Sequence, residues 1–317
     1  MAALVFVEIE EGEVKKSSLE AVSYAAAVQE GPTAIVFGAI NDGEMDKIGA
    51  AGAAKVLHVT DDQLAAPNIM AYASAIAEAM SKEGSDLLVL AKSSLGDPVS
   101  ARVAIKTGAS LATNVVDLPD TSDGFKVKCS IYTGKAFAIT ALSGEKKILG
   151  LKKNAISVKE DAGSPAVEEF APAHVEADFK VKVTERAKAT GEILLPEAEL
   201  VVSGGRGLKG PENWGMIEEL AKTIGAATGC SKPVSDMDWR PHHEHVGQTG
   251  IKVSPSLYIA VGISGAIQHL AGVNSSKYIL VINKDEEAPF FKAADYGVVG
   301  DAFEVVPKLT EAIKKAQ

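Results

Sequence analysis

The segments VVSGGRGLKGPENW (201–214) and LYIAVGISGAIQHLAGV (257–273) decide the fold of the last third of the chain. In each, a short apolar run is followed by a glycine-rich turn and then by a helical pattern, which begins near Trp214 and Ala266. Strands that alternate with helices predict a parallel sheet. The predicted elements of this part are strands at Leu200–Ser203, Leu257–Gly262, Lys277–Asn283 and Val298–Val299, and helices at Trp214–Ile224, from Ala266 onward and at Val306–Lys315.

The ends of these strands carry residues that could hold an anion. Ligands of parallel α/β sheets bind beyond the carboxyl ends of the strands. Three such ends are unusual here: the glycine loop with Arg206, the turn Gly262–Gly265, and Asn283. Glycine lets backbone N–H groups approach a phosphate, a helix N-terminus adds a favourable dipole, and Arg206 and Ser264 could add donors. Spacing alone leaves open whether the glycines bind an anion or only allow close packing. Neither loop has the G-x-G-x-x-G pattern of dinucleotide sites, and the P-loop pattern is absent.

Four further features have two interpretations each. His269 is either a surface or core residue of its helix or a functional group, and Asp301 either binds a ribose hydroxyl or caps a helix. The cluster HHEH (242–245) has a metal-binding composition, but its spacing and lack of further ligands nearby favour a solvated loop. Trp239-Arg240 is either a packed loop anchor or a wall of a site. No Ser/His/Asp set or G-x-S-x-G motif indicates hydrolysis.

The first two thirds of the chain show the same alternation, which predicts a parallel sheet covered on both faces. Lys159–His174 is predicted to be an exposed loop. The charged stretch Thr184–Glu197 places a domain boundary near residue 187, so the sequence predicts two α/β domains, 1–187 and 188–317. The predicted strands are Ala3–Val7, Thr33–Phe37, Lys55–Val59, Asp86–Ala91, Lys126–Ser130, Phe137–Ala141 and Phe179–Val183, and the predicted helices are Leu19–Gln29, Asn68–Met80 and Ser100–Thr107.

Composition narrows the class of protein. The 317 residues are 46% hydrophobic and 23% charged, which is a normal globular mix with enough apolar material for two cores. No apolar run is long enough for a membrane span. The start MAALVFVEIEEGEV has the features of neither a secretory signal nor a transit peptide, so a cytoplasmic protein of bacterial type is expected. Cys129 and Cys230 lack CxxC spacing and are predicted to be buried, reduced thiols.

The distribution of charge favours a small anionic ligand over nucleic acid. A net charge of −10 argues against non-specific binding to nucleic acid or to an anionic membrane surface. Residues 201–317, however, carry 12 basic and 13 acidic side chains and are nearly neutral. This part of the chain could therefore accept a phosphate group without strong repulsion.

The C-terminal part resembles the alpha subunit of electron transfer flavoprotein. Besides the two segments quoted above, the matching words are HVGQTG (245–250), INKDEEAPFFKAADYGVVGD (282–301) and VVPKLTEAI (305–313), in the family's order. The N-terminal part is similar to the family more loosely, through its start and its α/β pattern. The resemblance implies an N-terminal domain that forms the core of a heterodimer and a C-terminal parallel-sheet domain that binds FAD.

The resemblance also implies partners and a role. The partner is a beta subunit, which carries AMP in the family. The pair shuttles electrons from flavin dehydrogenases, such as the acyl-CoA dehydrogenases of fatty acid β-oxidation, to a membrane quinone oxidoreductase. Such a protein is an electron carrier without a substrate of its own, so it needs no catalytic residue. Two alternatives stay open: the alpha subunit of a bifurcating, NADH-oxidising form, and a nucleotide-binding interaction module without flavin.

The family's FAD contacts carry over to individual residues of this sequence. The resemblance places Arg206 near the flavin ring, Thr249 near its N5/O4 edge, and His269 on its O2 side. Reduced flavin gathers negative charge at N1 and O2, so a donor or cation there raises the first reduction potential. The implied cofactor-binding residues are Arg206, Ser231, Lys232, Val246, Gly247, Gln248, Thr249, Ser264, Gly265, Ala266, Ile267, Gln268, His269, Asn283 and Asp301.

Two stretches depart from the family pattern. Ser231-Lys232 stands where the family usually has Ser-Arg, and lysine lacks the planar guanidinium that can stack on a ring. The loop from Asp236 to His245 also differs, and it directly precedes the VGQTG word. The flavin potential is therefore expected to differ from that of the family.

Overall fold

The computed structural model describes residues 2–134, 136–161, 163–181, 183, 195–196 and 198–316. The chain divides into two compact units, residues 1–186 and 187–317. The predicted boundary near residue 187 lies outside the described residues. In the described part of the chain, no helix combines the length and the apolar character that crossing a membrane requires.

The N-terminal unit is built on a large, mostly parallel sheet. Its nine strands lie in the order β11-β5-β4-β1-β6-β10-β7-β8-β9, parallel from β11 to β7 and antiparallel from β7 to β9. The strands are β1 (Ala3–Val7), β2 (Ile9–Glu10), β3 (Glu13–Val14), β4 (Thr33–Phe37), β5 (Lys55–Val59), β6 (Leu87–Ala91), β7 (Ser110–Val115), β8 (Lys126–Ile131), β9 (Ala136–Ala141), β10 (Lys147–Leu151) and β11 (Ala166–Glu169); β2 and β3 pair separately. The helices are α1 (Lys16–Val28), α2 (Glu44–Ala50), α3 (Ile69–Lys82) and α4 (Gly96–Thr107).

The sheet is covered on both faces, as its central strand shows. All five residues of β1 are buried, which is typical of a central parallel strand. Because successive side chains of a strand point to opposite faces, Val5 and Leu4 enter different cores. The Val5 core includes residues of α1, and the Leu4 core includes residues of α3 and α4. The prediction of a parallel sheet with two covered faces is confirmed.

Two predictions for this unit are wrong. Phe179 lies in a short 3-10 helix, Glu176–Phe179, and not in a strand. Asp178 of that helix hydrogen-bonds to Ser74 of α3, so a contact with the helical layer overrides the alternating pattern. The predicted loop Lys159–His174 contains the edge strand β11, which pairs with β5. The sequence also gave no prediction for α2, β7 or β10.

The C-terminal unit contains an all-parallel sheet of five strands in the order β13-β12-β14-β15-β16. The prediction of a parallel sheet in this part is confirmed. The strands are β12 (Leu200–Gly204), β13 (Ala227–Cys230), β14 (Leu257–Val261), β15 (Tyr278–Asn283) and β16 (Tyr296–Val299), and the helices are α5 (Gly215–Ile224), α6 (Lys232–Asp236), α7 (Ile267–Val273) and α8 (Ala302–Ala316).

The order of the strands creates a crevice between β12 and β14. From β12 the chain moves outward to β13, and it then returns to build β14, β15 and β16 on the other side. The loops that leave β12 and β14 therefore run in opposite directions at the carboxyl edge of the sheet. Open α/β sheets bind ligands at such a switch point. One face of the sheet packs against α5 and α8, and the other packs against α7 and the segment around Val246–Val253.

Both cysteines are buried and free, as predicted. Burial raises the pKa of the Cys230 thiol to about 12, so this group stays protonated and unreactive at neutral pH. Cys230 ends β13 and belongs to the core on the α5 side.

The Ile76→Ala substitution should lower the free energy of unfolding of the N-terminal unit by about 2–5 kcal/mol, because Ile76 is 0% exposed on the inner face of α3. The same substitution at Ile105 is the control, since that side chain of α4 is 87% exposed and its loss should change stability by at most about 0.5 kcal/mol. Urea unfolding measures both. Equal destabilisation by the two substitutions would contradict the packing described here.

Candidate functional site

The loops at the switch point touch backbone to backbone. The N–H of Gly205 donates to the carbonyl of Val261 (2.9 Å), and the N–H of Gly207 donates to the carbonyl of Gly262 (3.0 Å). A Cβ atom at Gly205 would lie only 2.2 Å from the Gly262 carbonyl oxygen, so no larger residue fits there. The glycines therefore allow close packing, and they also leave the edge of the crevice as bare backbone.

Every strand of the sheet delivers a predicted site residue to this one edge. Ser231 and Lys232 follow β13, Arg206 follows β12, and the turn from Ser264 follows β14. Asn283 ends β15, and Asp301 comes just after β16. Of this set, Arg206, Lys232, Ser264 and Asp301 are exposed, Asn283 is half-buried and Ser231 is buried. The parallel topology thus brings together residues that lie up to a hundred positions apart in the sequence.

The loop 246–250 is held between β13 and α7. The N–H of Val246 donates to the Cys230 carbonyl (2.9 Å), and the N–H of Gln248 donates to the Gln268 carbonyl (2.7 Å). Val246 and Gly247 are buried, whereas the side chains of Gln248 and Thr249 are exposed. The loop is therefore anchored through its buried half and presents an amide and a hydroxyl group to solvent.

The turn 264–268 brings further polar groups to the edge. Gly265 is buried against Phe290, whose N–H donates to the Ser264 carbonyl (3.1 Å). Ala266, Ile267 and Gln268 are exposed. The helix α7 begins here, and the first turn of any helix has N–H groups without partners inside the helix. The turn therefore combines a serine hydroxyl with available backbone donors.

His269 is buried below this turn and is electrically neutral. Its Nε2 lies 2.9 Å from the hydroxyl of Tyr258, a fully buried residue of β14. Burial, with a further contribution from His245, lowers the pKa of His269 to about 4. The nearby carbonyl of Val246 opposes this shift. Burial also raises the pKa of Tyr258, so both partners are uncharged at pH 7. An uncharged imidazole can still donate or accept a hydrogen bond, and the contact of His269 with the O2 side of the flavin stays a prediction.

An ion pair between half-buried Arg240 and buried Glu244 indicates the role of Trp239-Arg240. Arg240 donates to both carboxylate oxygens of Glu244 (2.6 and 2.9 Å) and to Glu218 of α5 (3.1 Å). Its guanidinium lies 5.5 Å from the ring centre of Trp214, and Trp239 packs against the same core. These residues are a packed loop anchor, which ties the segment before loop 246–250 to α5.

The interpretation of HHEH as a solvated loop is only half right. His242 and His243 are exposed, but Glu244 is buried by its pairing with Arg240, and His245 is 3% exposed. Among the described residues no group of histidine, cysteine and carboxylate side chains could hold a metal ion.

Asn283 and Asp301 both have structural hydrogen bonds. The Asn283 amide donates to the Ile263 carbonyl (3.1 Å), which joins the end of β15 to the turn after β14. Asp301 accepts from the N–H of Phe303 (3.0 Å) and so caps α8, one of its two predicted interpretations. Contacts from these residues to an adenosine group stay a prediction.

The exposed groups of the edge fit a phosphate-containing cofactor such as FAD. Within the described ranges, neither Arg206 nor Lys232 forms an ion pair with a carboxylate. Two cations, the hydroxyl groups of Ser264 and Thr249, and the start of α7 therefore face solvent at one edge. Cations and helix N-termini are the usual partners of a pyrophosphate. The role of each of the fifteen residues as an FAD contact stays a prediction.

Sequence reasoning missed two residues that shape this edge. Tyr258 lies inside an apolar strand, where a tyrosine usually indicates only core packing, and its partner His269 is eleven positions away. His245 was grouped with its exposed neighbours. A usable signal was present in the glycines at 247 and 250, because small residues shortly after a histidine leave room for the chain to enclose its ring.

Comparisons with known proteins agree on one family. The model of the electron transfer flavoprotein domain matches residues 3–175, and that of the electron transfer flavoprotein FAD-binding domain matches residues 194–274. Three relatives align with 98% of this chain. They are electron transfer flavoprotein subunit alpha of Syntrophomonas wolfei (37% identity, 98% of its length), the same subunit of Mycobacterium tuberculosis (40%, 98%), and the probable mitochondrial subunit alpha of Caenorhabditis elegans (33%, 93%).

The fold described above is of the parallel α/β class, in which ligands bind at the carboxyl edge of the sheet. The chain belongs to the family of electron transfer flavoprotein alpha subunits. This membership confirms the resemblance seen in the sequence and supports an electron-transfer role with FAD as the cofactor.

Replacing Arg240 by Met should destabilise the C-terminal unit by about 3 kcal/mol, because the buried Glu244 carboxylate would lose its countercharge. The matched control is Lys314→Met, which breaks the exposed ion pair with Glu219 and should lower the free energy of unfolding by at most about 1 kcal/mol. Urea unfolding compares the two variants. A loss at Arg240 no larger than that at Lys314 would show that the loop anchor is unimportant.

His269 should make the C-terminal unit sensitive to acid. As the pH falls, the unfolded chain, with a histidine pKa near 6.5, binds a proton before the folded chain, with a pKa of about 4. The stabilisation is complete above about pH 6.5 and is lost as the pH falls toward 4, by up to about 3 kcal/mol. Urea unfolding over this range tests the effect: His269→Gln should flatten the profile, and exposed His243→Gln should leave it unchanged. A flat wild-type profile would refute the assignment.

Proposed function

We propose that this chain is the alpha subunit of a heterodimeric electron transfer flavoprotein and holds FAD at the carboxyl edge of strands β12 to β16. The observation that carries the proposal is the switch point between β12 and β14. It lies within the segment that matches the FAD-binding family model, and exposed cations and donors surround it.

Different residues of the edge bind different parts of FAD in this proposal. Arg206 supplies positive charge beside the flavin ring, Lys232 adds a second cation, and the turn from Ser264 supplies neutral donors for the pyrophosphate. Loop 246–250 offers the Gln248 amide and the Thr249 hydroxyl to the flavin ring. When bound, FAD supplies the redox chemistry, since it accepts electrons and passes them on. The protein's residues hold, orient and shield it.

The polar groups below the edge set the environment of the cofactor. His269 is buried and uncharged, so it contributes a hydrogen-bonding group beneath the edge. Arg206 and Lys232 are exposed cations of the edge. An electron carrier needs no general acid or base of its own.

The proposed partners follow from the same family. The name "subunit alpha" of the relatives supports a second, beta subunit. The AMP expected in that subunit is implied by the family resemblance alone. Flavin dehydrogenases such as acyl-CoA dehydrogenases would donate electrons, and a membrane quinone oxidoreductase would accept them. Co-expression with a beta subunit should give a yellow heterodimer with one FAD. Two flavins per heterodimer and reduction by NADH would instead indicate the bifurcating form, and a colourless heterodimer after reconstitution with FAD would refute the proposal.

Replacing Arg206 by Gln should weaken FAD binding by about tenfold, because one charge-assisted hydrogen bond is lost. The control is Lys222→Gln, which removes an exposed charge on α5 away from the carboxyl edge and should leave the affinity unchanged. Titration of the FAD-free heterodimer, followed by quenching of flavin fluorescence, gives both constants. Equal affinities for the two variants would exclude Arg206 from the site.

A further inference from the structure

His245 differs from the other histidines of its cluster by its burial. It is 3% exposed, and it directly precedes loop 246–250, of which residues 246–249 are predicted cofactor contacts. Its backbone carbonyl accepts from the N–H of Ile251 (2.7 Å), and the carbonyl of Ile251 accepts from the N–H of Gly247 (3.1 Å). The segment 245–251 is therefore a closed loop, because a backbone hydrogen bond joins its first and last residues.

The imidazole of His245 is enclosed by its own loop. A Cβ atom at Gly250 would lie 2.7 Å from Nδ1 of the ring, and a Cβ atom at Gly247 would lie 3.3 Å from Nε2. Side chains at these two positions would therefore press on the ring from both nitrogen edges. The exposed residues Gln248 and Thr249 lie between the two glycines in the sequence. Their loop is therefore packed around the imidazole ring.

The ring fits this place only in its neutral form. Nδ1 is fully buried, and within the described residues it has no hydrogen-bond partner. Burial, followed by His242, whose ring centre is 5.8 Å away, lowers the pKa of His245. Lys232 of α6 also lowers this pKa, Asp236 of α6 raises it, and His269 of α7 and Cys230 of β13 are the other titratable groups beside the ring. Asp236 is the carboxylate whose charge favours a protonated ring, and the neighbouring Glu244 carboxylate is already paired with Arg240.

We propose that His245 is a positioning residue of the candidate cofactor site, whose neutral imidazole shapes loop 245–251 and thereby fixes Gln248 and Thr249. The inference rests on the proposed function, since it assigns the loop to FAD. It adds a residue that acts through the loop and not by touching the cofactor. It also predicts that the affinity for FAD depends on pH. Protonation of His245 puts a buried charge inside the loop, which Asp236 offsets only in part, so the loop opens and FAD affinity falls.

The experiment uses the full-length chain co-expressed with its beta subunit, freed of FAD. FAD affinity is titrated by flavin fluorescence between about pH 8 and 4.5, and histidine ring nitrogens are followed by NMR over the same range to assign the pKa of His245. His245→Gln is compared with His243→Gln, which removes an exposed histidine two residues away. The visible circular dichroism of bound FAD reports the geometry of its surroundings.

We expect three results. Wild-type affinity falls by at least about tenfold as the pH passes the pKa of His245, His245→Gln binds FAD about tenfold more weakly at pH 7.5 with an altered dichroism spectrum, and His243→Gln behaves as wild type. A wild-type affinity that is flat through the pKa of His245 overturns the proposal, even if the glutamine variant fails to fold. So does a folded His245→Gln variant with wild-type affinity and dichroism. Failure of the wild-type heterodimer to bind FAD at all would instead refute the proposed function.

Discussion

The C-terminal unit depends on the direct backbone contact between the loop after β12 and the turn after β14. The chain leaves these two neighbouring strands in opposite directions, so the crevice of the sheet lies between them. Because a Cβ atom at Gly205 would be 2.2 Å from the carbonyl oxygen of Gly262, the contact requires glycine. Arg206 and Ser264 lie on the two loops that this contact joins, so their placement at one edge follows from it.

Below this contact the edge consists of an outer layer of exposed residues and an inner layer of buried residues, and the two layers have different roles. The outer layer consists of exposed groups that can bind a ligand, such as Arg206 and Thr249. The inner layer consists of buried, uncharged groups, among them His269 bonded to Tyr258. Neutral buried groups avoid the large free-energy penalty of an unpaired charge, which suits a support better than a binding group. The Arg240–Glu244 pair is the exception, and its charges compensate each other.

Much of the fold could be predicted from the sequence because its central strands are continuous apolar runs between clear turns. Three strands, Ala3–Val7, Thr33–Phe37 and Lys55–Val59, have the predicted bounds. The strand predicted to begin at Phe179 was wrong, because a short alternating pattern cannot show that the segment packs against α3. The strand β10 was missed, since its pairing partners β6 and β7 are distant in sequence and only tertiary structure brings them together.

The edge that forms the candidate site could be predicted in outline only. The glycine-rich turns after apolar strands predicted where this edge lies, and the family resemblance predicted FAD as its ligand. Protonation and burial depend on contacts between segments, such as the one between His269 and Tyr258, and a single sequence does not contain them. For the same reason, the burial of His245 and the ion pair of Arg240 became visible only in the folded chain.

The central claim is that FAD binds at the carboxyl edge of the five-stranded sheet. Hydrogen exchange of backbone amides, measured on the full-length chain with its beta subunit before and after addition of FAD, tests it most directly. The account predicts that FAD slows exchange in three segments, residues 204–208, 246–250 and 264–269, and leaves the body of α5 unchanged. Stoichiometric FAD binding without added protection in these segments would contradict it.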